Sequence, residues 1–210
     1  MTFPSLELEL ELLSQYDRVI GIDEVGRGAI AGPVAVGAAV FTKDISLNIP
    51  PGLRDSKLIA EQKRDVVAAL TKDWVSHSVG MQSAAEIEQF GISRALQKAA
   101  VLAIEPLVSR STVLLLDGSH NFLAGVVNLP VVTRTKADRD CAIVSAAALC
   151  AKVERDHLMR SLHTDYPFYD WDSNKGYASE SHIAALRSMG PSKEHRISWL
   201  TKILGAEELF

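Results

Sequence analysis

The chain has 210 residues, 47% hydrophobic and 23% charged, which suits one well-buried globular domain with room for a small appendage. A formal net charge of −4 argues against binding nucleic acid by bulk positive charge, although two divalent cations held by acidic residues would cancel that excess. The only cysteines, Cys141 and Cys150, would lie on opposite faces of a shared helix about 13.5 Å apart along its axis, too far to bridge.

With no zinc-type spacing, a reducing compartment is expected. The first thirteen residues lack a basic segment followed by an apolar one, so no signal peptide is expected. The longest apolar run, 141–151, is too short to span a bilayer. The expectation is a soluble, cytoplasmic protein that makes no membrane contact.

In chain order, residues 6–13 alternate Leu and Glu, and because both favour helix they predict a short surface helix. Val19-Ile20-Gly21-Ile22 reads as a strand over 18–23 that runs directly into the adjacent carboxylates Asp23 and Glu24. A Gly-rich turn over 26–32 and a second strand over Val34–Thr42 suggest a hairpin. A Pro/Gly loop at 48–52 leads to Arg54-Asp55-Ser56-Lys57. Glu61–Trp74 has helical periodicity, with Val66, Val67 and Leu70 on one face.

His77–Gln82 reads as a strand, and Ser83-Ala84-Ala85-Glu86 is a capping box that opens a helix. Residues 93–107 predict an amphipathic helix stopped near Pro106. Thr112–Asp117 is an apolar run ended by Asp-Gly, as in a central strand of a covered sheet. A short strand at 131–133 precedes a long helix over 141–163. The small residues of its first half, Ala142 to Ala148, suit close approach to a sheet. From Thr164 the chain becomes aromatic-rich, with Tyr166, Phe168, Tyr169 and Trp171 leading to Asn174-Lys175-Gly176-Tyr177. Helices over 179–189 and 199–204 follow, separated by Gly190-Pro191. The expected organisation is an α/β core, 1–163, carrying a C-terminal loop and helical appendage, 164–210, that is not independent.

Desolvating a carboxylate is costly unless a cation or donor compensates, and hard oxygen ligands suit Mg²⁺ or Mn²⁺. Asp117 also ends an apolar strand, where ligands of open α/β sheets gather. Asp138, in Thr135-Lys136-Ala137-Asp138, lies just before the long helix. Taken one at a time, each acid reads better as a solvated strand end or helix-proximal charge; the set changes that reading.

Gly21-Ile22-Asp23-Glu24-Val25-Gly26-Arg27-Gly28 with Ala31-Gly32-Pro33-Val34 resembles the opening signature of bacterial ribonuclease HII, the type 2 ribonucleases H. The resemblance continues at Asp55-Ser56-Lys57, Leu116-Asp117-Gly118 and Lys136-Ala137-Asp138. It runs on through Ser145-Ala146-Ala147 with Ala151-Lys152-Val153-Glu154-Arg155-Asp156, Lys175-Gly176-Tyr177, Gly190-Pro191-Ser192 and His195-Arg196. It implies an RNase H-like fold with a mixed five-stranded sheet and flanking helices.

It also implies an endonuclease that cuts the RNA strand of RNA–DNA hybrids. Such enzymes further cut 5′ of single ribonucleotides embedded in duplex DNA, leaving 3′-hydroxyl and 5′-phosphate ends. By the same resemblance Asp23, Glu24, Asp117 and Asp138 are the catalytic acids, the first three ligating two divalent ions. Gly26, Arg27 and Gly28 would grip the RNA–DNA junction, Tyr177 would pack on the neighbouring sugar and base, and Lys57 would contact phosphate. Two metals about 4 Å apart can activate water, stabilise the leaving oxygen and neutralise phosphoryl charge.

Lys152, Arg155, Lys193 and Arg196 could touch phosphate, but solvated faces are the better reading. His195 reads as structural. Ala29 replaces a commoner proline or cysteine, which would loosen the turn. Ala137 replaces a usual glycine, and a left-handed backbone there would alter the placing of Asp138.

Three rivals remain. A dinucleotide-binding loop should open a helix, yet strand-like residues follow Gly32. A different two-metal nuclease would share the acids but not the Gly-Arg-Gly turn paired with Lys-Gly-Tyr. A silent nucleic-acid-binding module has no need of four acids. Nothing calls for an oligomer, so a monomer is expected.

Overall fold

The computed structural model describes residues 3–205; residues 1–2 and 206–210, the latter ending the expected appendage, lie outside the described part. Helix α1 (Glu7–Leu12) precedes a hairpin of β1 (Arg18–Val25) and β2 (Val34–Thr42). Next come α2 (Glu61–Trp74), β3 (His77–Gln82), α3 (Ala84–Phe90) and α4 (Ile92–Ile104). Strands β4 (Thr112–Asp117) and β5 (Val131–Arg134) lead to α5 (Ala137–Asp140) and the long α6 (Ala142–Asp165). Helices α7 (Trp171–Asn174), α8 (Glu180–Met189) and α9 (Ile197–Leu204) follow.

The strands form one five-stranded sheet in the order β3-β2-β1-β4-β5. The β1–β2 and β2–β3 pairs are antiparallel, and the β1–β4 and β4–β5 pairs are parallel. This is the mixed α/β sheet that the alternation of elements predicts.

Side chains alternate across a strand, so each strand feeds two cores. Val19, Phe41, Val113 and Leu115 pack with Ile143, Val144 and Ala147 of α6. On the other face Ile20, Ile22, Leu114 and Leu116 pack with Leu96, Ala99 and Ala103 of α4. The small residues of α6 let it lie almost on the sheet. A Cβ added at Gly37 would stand 2.2 Å from the carbonyl oxygen of Ala147, so only glycine fits beneath that helix.

Two sequence expectations need correction. The helix at 6–13 is not simply a surface helix, because Leu6, Glu9, Leu12 and Leu13 are all buried. Their spacing of about three residues marks one inward face, and the Leu/Glu alternation places an acid in it. In α2 the buried residues are Val67, Ala68 and Thr71, while Val66 and Leu70 are 64% and 42% exposed. The helix meets α6 through its small side chains, and the Thr71 hydroxyl satisfies itself by donating to the carbonyl of Val67 at 2.8 Å. The apolar run predicted over 93–107 ends as an α-helix at Ile104 and continues as a 3₁₀ turn, Glu105–Leu107, around Pro106.

A third cluster underlies the C-terminal segment. Tyr169, Trp171, Leu186, Leu200 and Leu204 pack with Ile30, Ala31 and Met159 from earlier in the chain. The buried His182 and His195 join it. Trp171 Nε1 can only donate, and it does so to His182 Nε2 at 3.0 Å. His182 must therefore carry its proton on Nδ1, which donates to the carbonyl of Tyr177 at 2.8 Å. His195 Nε2 donates to the same His182 nitrogen at 3.0 Å, and its Nδ1 accepts from the backbone N–H of Ser192 at 2.9 Å. The structural reading of His195 agrees with this network.

Candidate active site

The parallel pairing of β1 with β4 runs to Ile22 opposite Leu116, so Asp23 and Asp117 are the next residues on neighbouring strands. Strands lie about 4.8 Å apart, which brings the two carboxylates together at the carboxyl edge of the sheet. The backbone N–H of Glu24 donates to Asp23 Oδ1 at 2.8 Å. Asp138 comes from α5, and its N–H donates to Asp117 Oδ1 at 3.4 Å. Its own carbonyl accepts from the Ser145 hydroxyl of α6 at 2.8 Å, which ties the short helix to the long one.

The left-handed residue in this stretch is Lys136, with φ 63°, and Ala137 is the first helical residue. The alanine at 137 therefore costs no strain, contrary to the concern raised by the missing glycine. Ala29 is fully buried and donates to the carbonyl of Gly26 at 3.2 Å, a bond that a proline there could not make.

Burial raises the pKa of Asp23 well above the usual carboxylate range, and the charges of Glu24, Asp117 and Asp138 push it further. Asp138 is raised by burial and by Asp117 and Asp55, against the opposing charge of Lys57. Two cations temper the cluster, with Lys57 Nζ 3.6 Å from Asp138 Oδ2 and Arg27 Nη1 3.4 Å from Glu24 Oε1. Among the described residues, no three acidic, histidine or cysteine side chains have the spacing of a ready-made metal cage. The donor set, four oxygen acids of which three crowd the half-buried Asp23, fits a hard divalent cation.

Clefts flank the carboxylates. One, of about 430 Å³, is lined by Asp23, Glu24, Lys57, Arg64, Lys152 and Tyr177. The other, of about 630 Å³, is lined by Glu24 and Asp117 with Ser93, Gln97, His120 and Asn121. Lys57 is placed by a tight turn in which Asp55 Oδ1 accepts from its backbone N–H at 3.0 Å. Arg64 braces the same turn by donating to the carbonyls of Ser56 and Ile59 at 3.2 and 3.1 Å. Asp156 takes up Lys152 at 2.7 Å and Arg64 at 3.7 Å. Tyr177 is 37% exposed at the mouth of this cleft.

The 26–33 segment departs most from expectation. Gly26 has φ 78°, and a Cβ there would lie 2.1 Å from Arg155 Nε. Arg155 and Arg196 are neither solvated nor available to phosphate, because both are fully buried. Arg155 donates to the carbonyls of Pro33 (2.8 Å), Lys175 (2.9 Å) and Ala31 (3.2 Å). Arg196 donates to those of Gly26 (2.8 Å), Arg27 (2.9 Å) and Gly32 (3.1 and 3.2 Å). Their only sequence signal was a place inside matched motif blocks, and their burial among carbonyls is tertiary information.

Residues 20–202 match the family profile described as Ribonuclease HII. The chain belongs to the ribonuclease HII family. A ribonuclease HII of Streptomyces avermitilis is 42% identical over 197 residues, which cover 93% of this chain and 82% of that protein. The crystal structure of the ribonuclease H2 from Pyrococcus horikoshii OT3 superposes with a TM-score of 0.73 at 25% identity, covering 91% of this chain and 98% of the other. A ribonuclease HIII solved in complex with Mn²⁺ shares the fold, with a TM-score of 0.65 at 17% identity over 95% of this chain and 67% of its own. The RNase H-like fold expected from the sequence is thus observed, and the chain is a metal-dependent ribonuclease H, an endonuclease and hydrolase. No described helix is long and apolar enough to cross a membrane.

Proposed function

We propose that this ribonuclease H cuts the RNA strand of RNA–DNA hybrids and nicks duplex DNA 5′ of a single embedded ribonucleotide, leaving 3′-hydroxyl and 5′-phosphate ends. It does so as a cytoplasmic monomer with two divalent ions, Mg²⁺ or Mn²⁺. Asp23, Glu24 and Asp117 ligate the ions, and Asp138 completes the catalytic set. When bound, such ions supply an activated water, a stabilised leaving oxygen and neutralised phosphoryl charge.

The observation that carries this reading is the crowding of three carboxylates, Glu24, Asp117 and Asp138, around the recessed Asp23, whose charged form the protein alone disfavours. The chain's own residues then orient the substrate. Lys57, exposed beside Asp138, can meet a phosphate oxygen. Tyr177 presents its ring at the cleft mouth for packing on a sugar and base. A Cβ on Gly28 would meet nothing within 4 Å, so internal packing does not require glycine there. The space outside it is open to a sugar edge, where backbone groups of Gly26, Arg27 and Gly28 can sense the 2′-hydroxyl that marks a ribonucleotide.

The test is a labelled duplex carrying one ribonucleotide, incubated with Mg²⁺, with Mn²⁺ and with EDTA. Metal-dependent nicking on the 5′ side is expected. Cutting of an all-DNA control, or binding without nicking, would refute the reading. Asp23→Asn is expected to abolish cleavage while keeping duplex binding within a few-fold, measured by gel nicking and fluorescence anisotropy. Retained activity would remove Asp23 from the site.

A further inference from the structure

A backbone that discriminates by one hydroxyl must be held to about 0.5 Å, yet this turn is built from the most flexible residue type. Of the bonds within it, the Ala29 N–H to the Gly26 carbonyl at 3.2 Å is a weak closure. Backbone bonds pin the far half of the segment, Ile30 and Ala31 to the carbonyl of Gly176 and Gly32 to that of Glu194, and the rest is held from below. Every hydrogen bond recorded for the two buried guanidiniums ends on a backbone carbonyl, and the carbonyls of Gly26, Arg27, Ala31, Gly32 and Pro33 are all taken. A guanidinium is a planar fork of five donors, so it fixes direction as well as distance. Arg155 also holds the carbonyl of Lys175, two residues before Tyr177, and its guanidinium carbon lies 5.7 Å from the centre of the Tyr177 ring. This side chain thus ties the turn to the tyrosine, alongside the backbone bonds from Ile30 and Ala31 to Gly176.

We infer that Arg155 and Arg196 are positioning residues for ribose selection, setting the 26–33 backbone that meets the 2′-hydroxyl. The inference rests on the reading of that turn given above, and neither arginine touches substrate. Desolvating two cations for fold stability alone is a poor bargain, since buried charges are commonly replaceable by apolar groups. Holding a row of carbonyls in fixed directions is a task apolar groups cannot perform.

The test compares Arg155→Lys and Arg196→Lys with the unaltered chain. Lysine keeps the charge but loses the fork. Two duplexes are used, one with a single ribonucleotide and one with a 2′-deoxy-2′-fluoro residue at the same position, which lacks the hydroxyl donor. The quantity read is the ratio of kcat/KM between them, with the folded fraction of each variant checked by thermal melting. The ratio is expected to fall about tenfold in each variant, the worth of one misaligned hydrogen bond.

General loosening would slow both substrates alike, and an unchanged ratio overturns the inference. Loss of the fold in both variants also overturns it, because the arginines would then be structural supports only. If the unaltered chain itself fails to distinguish the two duplexes, the ribose-sensing reading of the turn fails and the inference falls with it.

Discussion

Glu9 shows how a single side chain can run against its surroundings. It sits in the inward face of α1 with no exposure. Its Oε1 accepts from the Ile143 N–H at 2.9 Å in the first turn of α6, while Oε2 has no hydrogen-bond partner. Burial raises its pKa from 4.5 to about 7. A carboxyl whose folded pKa lies above its unfolded value supports the fold below pH 4.5, and that support is lost as pH rises through 7. Glu9→Gln keeps an acceptor for Ile143 and removes the charge. It is expected to be more stable than the unaltered chain at pH 8 by on the order of 1–2 kcal/mol, with the difference shrinking towards pH 4.5. Urea denaturation at the two pH values checks this, and a constant difference would place the titration elsewhere.

Residue-scale legibility divides along the same line. Asp23 and Asp117 stood out in the sequence because each ends an apolar run, which locates a strand terminus. Glu9, Arg155 and Arg196 did not, because a charged residue reads as solvated until the carbonyls or helix ends that receive it are known. Each of the three has a partner more than 100 residues away, as with Glu9 and Ile143, Arg155 and Pro33 or Arg196 and Gly26.

Among the elements, α6 was the most legible. Its run of small residues announced a close approach, and the sheet answers with Gly37 beneath Ala147. Gly37→Ala is expected to destabilise the fold by about 1–3 kcal/mol, since its Cβ must push against helix backbone and not a flexible side chain. Thermal denaturation measures the loss, and an unchanged midpoint would mean that α6 sits farther from β2. In α2, by contrast, periodicity named the helix and misjudged its orientation. Val66 and Leu70 face solvent because Ala68 and Thr71 offer the flatter surface where two helices meet. Hydropathy ranks residues by transfer energy, whereas helix contacts are chosen by shape.

Across the whole molecule, the sheet order does the work of assembly. It sets β1 beside β4, so acids 94 positions apart in the sequence become neighbours, and α5 brings a fourth to the same edge. We infer that the segment from 164 onward is not an independent unit, because its cluster borrows Ile30, Ala31 and Met159 from the preceding part. A chain ended after His163 loses Trp171, whose fully buried side chain alone accounts for about 3–5 kcal/mol. That truncated protein is expected to melt at least 10 °C lower than the full chain or not to fold, as read by circular dichroism. An unshifted midpoint would make the segment a separable addition.

The two buried arginines also impose a schedule on the ribosome. Gly26 is made 170 residues before the guanidinium that receives its carbonyl. At about 5–20 residues per second, that is roughly 10–30 s of synthesis during which the turn exists without its final support. A chain cut short between Asp138 and Arg196 therefore carries the four acids without the guanidinium that holds Gly26, and on the inference drawn above its ribose selector is unfinished.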